Sequence, residues 1–183
     1  MATIFYTATT LDGFIADPDD SLDWLFRQQQ DDTGGPFDYD VFIAGVSALA
    51  MGATTYLWVC DNLAASGTAW PYRQPTWVFT HRDLEPVAGA DLHFTRDPVE
   101  QVHAQMAAVG DGDVWVVGGG RLATDFAAAG LLDEIVVSIA SVTLGSGRPL
   151  FPGRFDLELI DHGRNKAFLL GRYKVLGVLT EDR

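Results

Sequence analysis

Cysteine is nearly missing from this chain: Cys60 stands alone among 183 residues. An internal disulfide is excluded, and the expected compartment is a reducing one, the cytoplasm. Basic residues are scarce as well, with 12 Lys and Arg against 25 Asp and Glu and a net charge of −13. A surface of that sign repels phosphate backbones, so nucleic acid is not an expected partner. No apolar run approaches the roughly 20 residues that cross a bilayer, and no membrane association is expected. The start of the chain, Met1 to Tyr6, has neither the basic stretch nor the small-residue cleavage site of a secretory signal. His81, His93, His103 and His162 are scattered, without H-x-x-x-H spacing or a cysteine partner, so no metal centre is expected. A nucleophile elbow followed by Asp and His is lacking too.

What is present reads as one α/β domain spanning residues 1–183. A hydrophobic fraction of 48% and a charged fraction of 20% are ordinary for a globular chain. Strand-like and helix-like runs alternate. Strands are expected at Ile4 to Thr9, Ser47 to Met51, Thr76 to Thr80, Asp91 to Thr95, Asp113 to Val117 and Ile135 to Ala140. Helices are expected around Leu22 to Phe26, Phe37 to Ala44, Thr54 to Leu63, Val99 to Val109 and Leu122 to Ala129, the last closed by Gly130. Asp31 to Pro36 reads as a polar loop. Two long strands, Asp156 to His162 and Ala167 to Leu179, end the chain as an expected antiparallel pair at a sheet edge. The alternation predicts a mostly parallel sheet with helices on both faces. Ligands of such sheets sit beyond the carboxyl ends of the strands, which directs attention to the loops after Thr9, Met51 and Val117.

The most informative segment is Val114 to Leu122, a buried strand that runs into Gly118-Gly119-Gly120-Arg121 at a helix start. Three glycines permit unusual dihedrals and clear the turn of side chains. A pyrophosphate could then approach the free N–H groups of the helix N-terminus. A tight turn with no ligand explains the glycines equally well, and the G-x-G-x-x-G spacing of a dinucleotide fingerprint is absent.

Four segments in order tip the balance: Ala8 to Ala16, Met51 to Tyr56, Val117 to Leu122, and Leu131 to Phe151 with its Leu144-Gly145-Ser146-Gly147-Arg148-Pro149 run. Together they resemble the dihydrofolate reductase superfamily. Within it they look most like the reductase domain of riboflavin biosynthesis and its stand-alone bacterial relatives. The resemblance spans residue 3 to about residue 178 and implies a three-layer α/β/α fold, with a mixed, mostly parallel sheet and an antiparallel C-terminal strand pair. It implies an NAD(P)H-dependent reductase that passes hydride to a small, heterocyclic, pterin- or pyrimidine-like substrate. A non-catalytic nucleotide-binding protein of the same fold is the alternative.

By the same resemblance, Ala8 and Ile15 lie along the nicotinamide, with Gly13 and Phe14 in the adjoining loop. Gly52, Thr54 and Thr55 form one pyrophosphate turn. Thr80, His81 and Arg82 stand beside the adenosine ribose. Val117, Gly118, Gly119, Gly120, Arg121 and Leu122 close over the pyrophosphate and nicotinamide, with a cis peptide implied between Gly118 and Gly119. Arg121 either contacts the cofactor or lies on the surface.

The chain departs from the pattern at Ala53, where relatives carry an Arg for the 2′-phosphate or diphosphate. Arg82 could replace it by forking onto a phosphate, or be a solvated loop charge. NADPH is the expected cofactor, with NADH possible. For the substrate, Asp23 is either a contacting acid or a first-turn helix carboxylate. Trp24 is either an aromatic wall or core packing, and Phe26, Tyr56 and Trp58 are further candidate walls. Asp12 suits an Asx turn or a ligand contact. Ser138 matches a hydroxyl near the substrate, or is satisfied locally. The resemblance also implies a homodimer.

Overall fold

The computed structural model describes residues 1–31 and 37–180. The loop expected over Asp31 to Pro36 falls outside them, Asp31 excepted. The elements in chain order are β1 (Thr3–Thr10), β2 (Phe14–Ala16), α1 (Asp23–Phe26), α2 (Tyr39–Ala44), β3 (Val46–Gly52) and α3 (Ala53–Ser66). They continue as β4 (Thr76–Phe79), β5 (Leu92–Thr95), α4 (Val99–Ala107), β6 (Asp113–Gly118) and α5 (Gly120–Ala128). The last four are β7 (Glu134–Ala140), β8 (Arg148–Pro149), β9 (Phe155–Asn165) and β10 (Phe168–Val178).

Eight strands form one sheet in the order β5-β4-β3-β6-β1-β7-β10-β9. The pairs from β5 to β7 are parallel, while β10 runs antiparallel to both β7 and β9. The expected mixed sheet with its antiparallel C-terminal pair is therefore what forms. The central strands are apolar on both faces because both are covered. Phe5, Ala48, Val114, Val116, Ile135 and Val137 meet Val102, Met106, Leu122 and Phe126 of α4 and α5 on one face. The alternate residues, among them Ala8, Leu49, Met51 and Trp115, meet α1, α2 and α3 on the other. Burying each large side chain fully is worth about 1.5–3 kcal/mol.

Local chemistry sets the helix ends. Helix α5 buries Leu122, Ala123, Phe126 and Ala127 on one stripe and exposes Arg121 and Asp125. It stops at Gly130, whose φ of +69° lets its N–H reach the Ala127 carbonyl while that of Leu131 reaches Phe126. Helix α1 is a single turn, and the hydroxyl of Ser21 accepts the Asp23 N–H at 3.1 Å just ahead of it.

Two features differ from expectation. A second, small sheet pairs β2 with β8. Elements of three and two residues are too short to leave a periodic signal. The peptide between Gly118 and Gly119 is trans, as are all those described. The chain turns there through the positive φ of Gly119, +88°, a conformation open to glycine without a Cβ clash. No described helix is long and apolar enough to cross a membrane.

Candidate functional site

Strands β3 and β6 are neighbours in the sheet, yet the helices that follow them leave to opposite faces, α3 to one and α5 to the other. Such a switch point opens a crevice beyond the carboxyl ends of the strands. A cavity of about 620 Å3 lies there, within the range of small-molecule and cofactor sites. Gly52, Thr80, Thr95 and Gly119, at the ends of β3, β4, β5 and β6, form its floor.

The N-termini of three helices reach this cavity: α3 through Ala53 to Thr55, α4 through Val99, and α5 through Arg121 and Leu122. None has a side-chain cap; their N-cap positions are Gly52, Pro98 and Gly119. Orphan N–H groups of α3 and α5 thus face the space between the two turns, where an anion would satisfy them.

The glycines leave room for this approach. A Cβ at Gly52 would point into open space, so a ligand can come down onto the backbone there. A Cβ at Gly118 would stand 2.9 Å from Thr55 Oγ1, so its absence lets the two turns pack together. These are the requirements of a dinucleotide diphosphate, and the residues present fit that group.

Of the residues singled out by sequence, the cavity gathers Gly52, Thr54, Thr55, Thr80, His81, Gly119, Arg121 and Leu122. Gly118 and Gly120 support the turn from behind and are themselves buried. Val117 packs under α2 and α3, away from the lining. Arg82 is not a lining residue: its backbone N–H donates to Thr80 Oγ1 at 3.0 Å and its side chain is exposed. Arg96 lines the cavity instead, next to Thr95. Sequence reasoning passed over both, although Thr95 ends β5, Arg96 follows it and the carboxyl-end rule covers that strand as well. Arg96 holds Asp83 at 3.1 Å in an exposed pair that is easily given up. Ala53 lines the cavity without contributing a charge.

Ala8 and Ile15 stand apart from this cavity. Ala8 lies in register with Ser138 on β7, which in turn pairs with Leu170 on β10. Trp24 covers this region, only 2% exposed and packed with Ala8, Ala140, Phe168 and Leu170. Its indole N–H is buried with no partner among the described residues. Asp23 is exposed, and Tyr56 is not a cleft wall: 1% exposed, it lies in the core and donates to the Glu85 carbonyl at 2.5 Å. Burial pushes the Tyr56 phenol up to about 12.

Asp12 serves as a clasp. Its carboxylate accepts the Thr10 hydroxyl at 2.5 Å and the N–H groups of Gly145 at 2.7 Å and Leu144 at 3.1 Å. The Thr10 hydroxyl foremost, and then those N–H groups, hold its carboxyl below the usual range. Arg148 grips Asp20 through two bonds of 2.6 and 2.9 Å. The segment from Asp12 to Asp20, with Ile15 within it, is thereby tied to residues 144–150.

A three-layer α/β sheet with a glycine-lined switch-point crevice of this kind is a dihydrofolate reductase-like, reductase-type fold. The chain belongs to the family of the RibD C-terminal domain, whose model matches residues 59–165. It is 31% identical over 152 residues to the uncharacterized protein YwjB of Bacillus subtilis, covering 81% of this chain and 82% of that one. A putative riboflavin biosynthesis protein from Shewanella sp. PV-4 superposes with a TM-score of 0.77 at 26% identity, covering 96% of this chain and 99% of that one. Dihydrofolate reductase from Enterococcus faecalis, solved with NADP(H), shares the fold with a TM-score of 0.60 at 14% identity, over 96% of each chain.

Proposed function

We propose that this chain is an NADPH-dependent reductase acting on a small, heterocyclic substrate. The observation that carries the reading is the facing of two uncapped helix N-termini, α3 and α5, across one crevice opened by Gly52 and Gly119. In a molecule of net charge −13, a diphosphate is held by local donors rather than by the overall field.

The bound nicotinamide would supply the hydride; the protein's part is to bind, orient and exclude water. The first turns of α3 and α5 receive the diphosphate, with the Thr54 and Thr55 hydroxyls as further donors. Thr80 and His81 would stand beside the ribose, and Arg96 and Arg121 would offer guanidinium groups for phosphate. By the family resemblance, Ala8 and Ile15 would flank the nicotinamide, and Trp24 and Ser138 would border the substrate.

The alternative, a binding protein without turnover, draws support from Ala53, which leaves the first turn of α3 without a guanidinium. Titration of the protein with NADPH and with NADH, read by energy transfer from its five Trp residues, separates the readings. Uptake of neither cofactor defeats the reductase; uptake without oxidation by any pterin, pyrimidine or quinone of a panel favours the binding protein.

The same proposal includes a homodimer. Strands β9 and β10 expose Leu157, Leu159, Leu169 and Val178, at 41 to 59% each, an apolar surface suited to a second copy. Light scattering that returns a monomer overturns this part.

A further inference from the structure

Strands β4 and β5 end side by side: Phe79 lies in register with Thr95, and the Thr80 N–H donates to the Thr95 carbonyl at 2.9 Å. Each strand then turns on a threonine hydroxyl. Thr80 Oγ1 accepts the Arg82 N–H at 3.0 Å, and Thr95 Oγ1 accepts the Asp97 N–H at 3.0 Å. The two turns set Asp83 against Arg96, whose Nη2 donates to Asp83 Oδ1 at 3.1 Å. Arg96 lines the crevice, while Asp83 stands outside the lining. Asp97 and Asp125 line the crevice too, yet among the described residues Asp83 alone pairs with Arg96. The Asp83 side chain is 101% exposed and that of Arg96 60%, so both keep most of their water in the pair. Arg121, the other guanidinium of the lining, holds no ion pair among the described residues.

We infer that Asp83 is an internal competitor of the cofactor's phosphate for Arg96, and that it thereby sets how strongly this chain prefers NADPH to NADH. This rests on the reductase reading and adds to it a residue that never touches the cofactor. A phosphate monoester carries close to two negative charges at neutral pH and can accept two N–H groups of the guanidinium fork. It therefore displaces a solvated carboxylate held by one bond. Asp83 must first be released, and the work of release is subtracted from the affinity for NADPH. NADH has a hydroxyl where NADPH has its 2′-phosphate, so it leaves the pair intact and bears no such cost. An exposed ion pair is worth a factor of about 1.5 to 5 in an equilibrium constant. That is the size of the handicap Asp83 places on NADPH alone.

The test is fluorescence titration of NADPH and of NADH into four forms of the full chain: the parent, Asp83→Asn, Arg96→Gln and the double variant. Low ionic strength keeps the exposed pair at its full strength. Asp83→Asn is expected to bind NADPH about twofold to fivefold more tightly than the parent, and NADH within about 1.5-fold. In the Arg96→Gln background the same change should leave NADPH within about 1.5-fold, because the competitor has nothing left to hold. The Asp83 side chain is fully exposed, and thermal unfolding checks that the variants fold. No gain for NADPH, an equal gain for NADH, or a gain that persists without Arg96 each overturns the competitor; the last would show only the general field of a removed charge. The two failures stay distinct. A parent that takes up neither cofactor defeats the reductase reading and this inference with it. A parent that binds NADPH but is indifferent to Asp83→Asn defeats the competitor alone.

Discussion

Gly120 sits so close beneath Leu150 that a Cβ on it would stand 2.2 Å from the Leu150 carbonyl oxygen, and 2.4 Å from that of Pro149. The start of α5 and the segment after β7 are therefore packed backbone on backbone. Gly147 makes the matching contact on the other side, where a Cβ would meet the Ala16 carbonyl at 2.1 Å. Through Gly147, Pro149 and Leu150 the loop that follows β1 leans on the glycine turn of the crevice. Gly120→Ala has no soft side chain to displace. It is expected to cost about 1–3 kcal/mol, typical of overpacking, and to lower the unfolding midpoint by several degrees in calorimetry. NADPH affinity should fall with it, because the turn shifts.

Arg96 and Arg82 are separable by charge removal. Arg96→Gln is expected to weaken NADPH about tenfold to hundredfold, in line with a lost charged hydrogen bond of about 1.5–3 kcal/mol, and to leave NADH within about twofold. Arg82→Gln should leave both cofactors within about twofold, since its side chain is exposed outside the lining. Fluorescence titration of the two variants decides it. A larger loss for Arg82→Gln would return the 2′-phosphate to that residue.

The Asp12 clasp predicts a pH dependence. Its folded carboxyl titrates below the unfolded value of roughly 3.9, so its contribution is complete above that value. The contribution fades as pH falls through the lower folded value. Urea unfolding of the parent and of Asp12→Ala should differ by a constant amount from pH 7 to about pH 5. The difference should then shrink below about pH 4. A gap unchanged down to pH 3 would show that the clasp works without its charge.

Phe126 is fully buried on α5 and meets the edge of Phe79 with ring centroids 6.0 Å apart, directly behind the crevice floor. Phe126→Ala should cost about 3–5 kcal/mol in denaturant unfolding, the usual sum of lost burial and residual cavity. Phe126→Leu should recover most of it.

Strong local signals made most of the fold legible. The Val114 to Val117 run before three glycines, the helical stripe of Leu122 and Phe126, and the long C-terminal strands all depend on residues near one another in the chain. Their positions came out within a few residues. The glycine turns of the crevice were legible for a related reason: glycine at a strand end before a helix is a local conformational requirement. Arg82 and Arg96 were not separable that way. Each follows a strand end, and only the positions of β4 and β5 at the sheet edge and the start of α4 bring Arg96, not Arg82, into the cavity wall.

By itself the amino-acid order determined the alternation of strands and helices, the antiparallel ending and the glycine-rich turns. Those follow from side-chain periodicity and backbone freedom, which act over a few residues. Tertiary structure alone decided the rest: that α3 and α5 leave adjacent strands for opposite faces, that Tyr56 is core, and that Asp12 reaches across 133 positions to Gly145. Those outcomes depend on distant segments meeting. Which ones meet is set by the packing of whole layers, a property no short stretch of sequence carries.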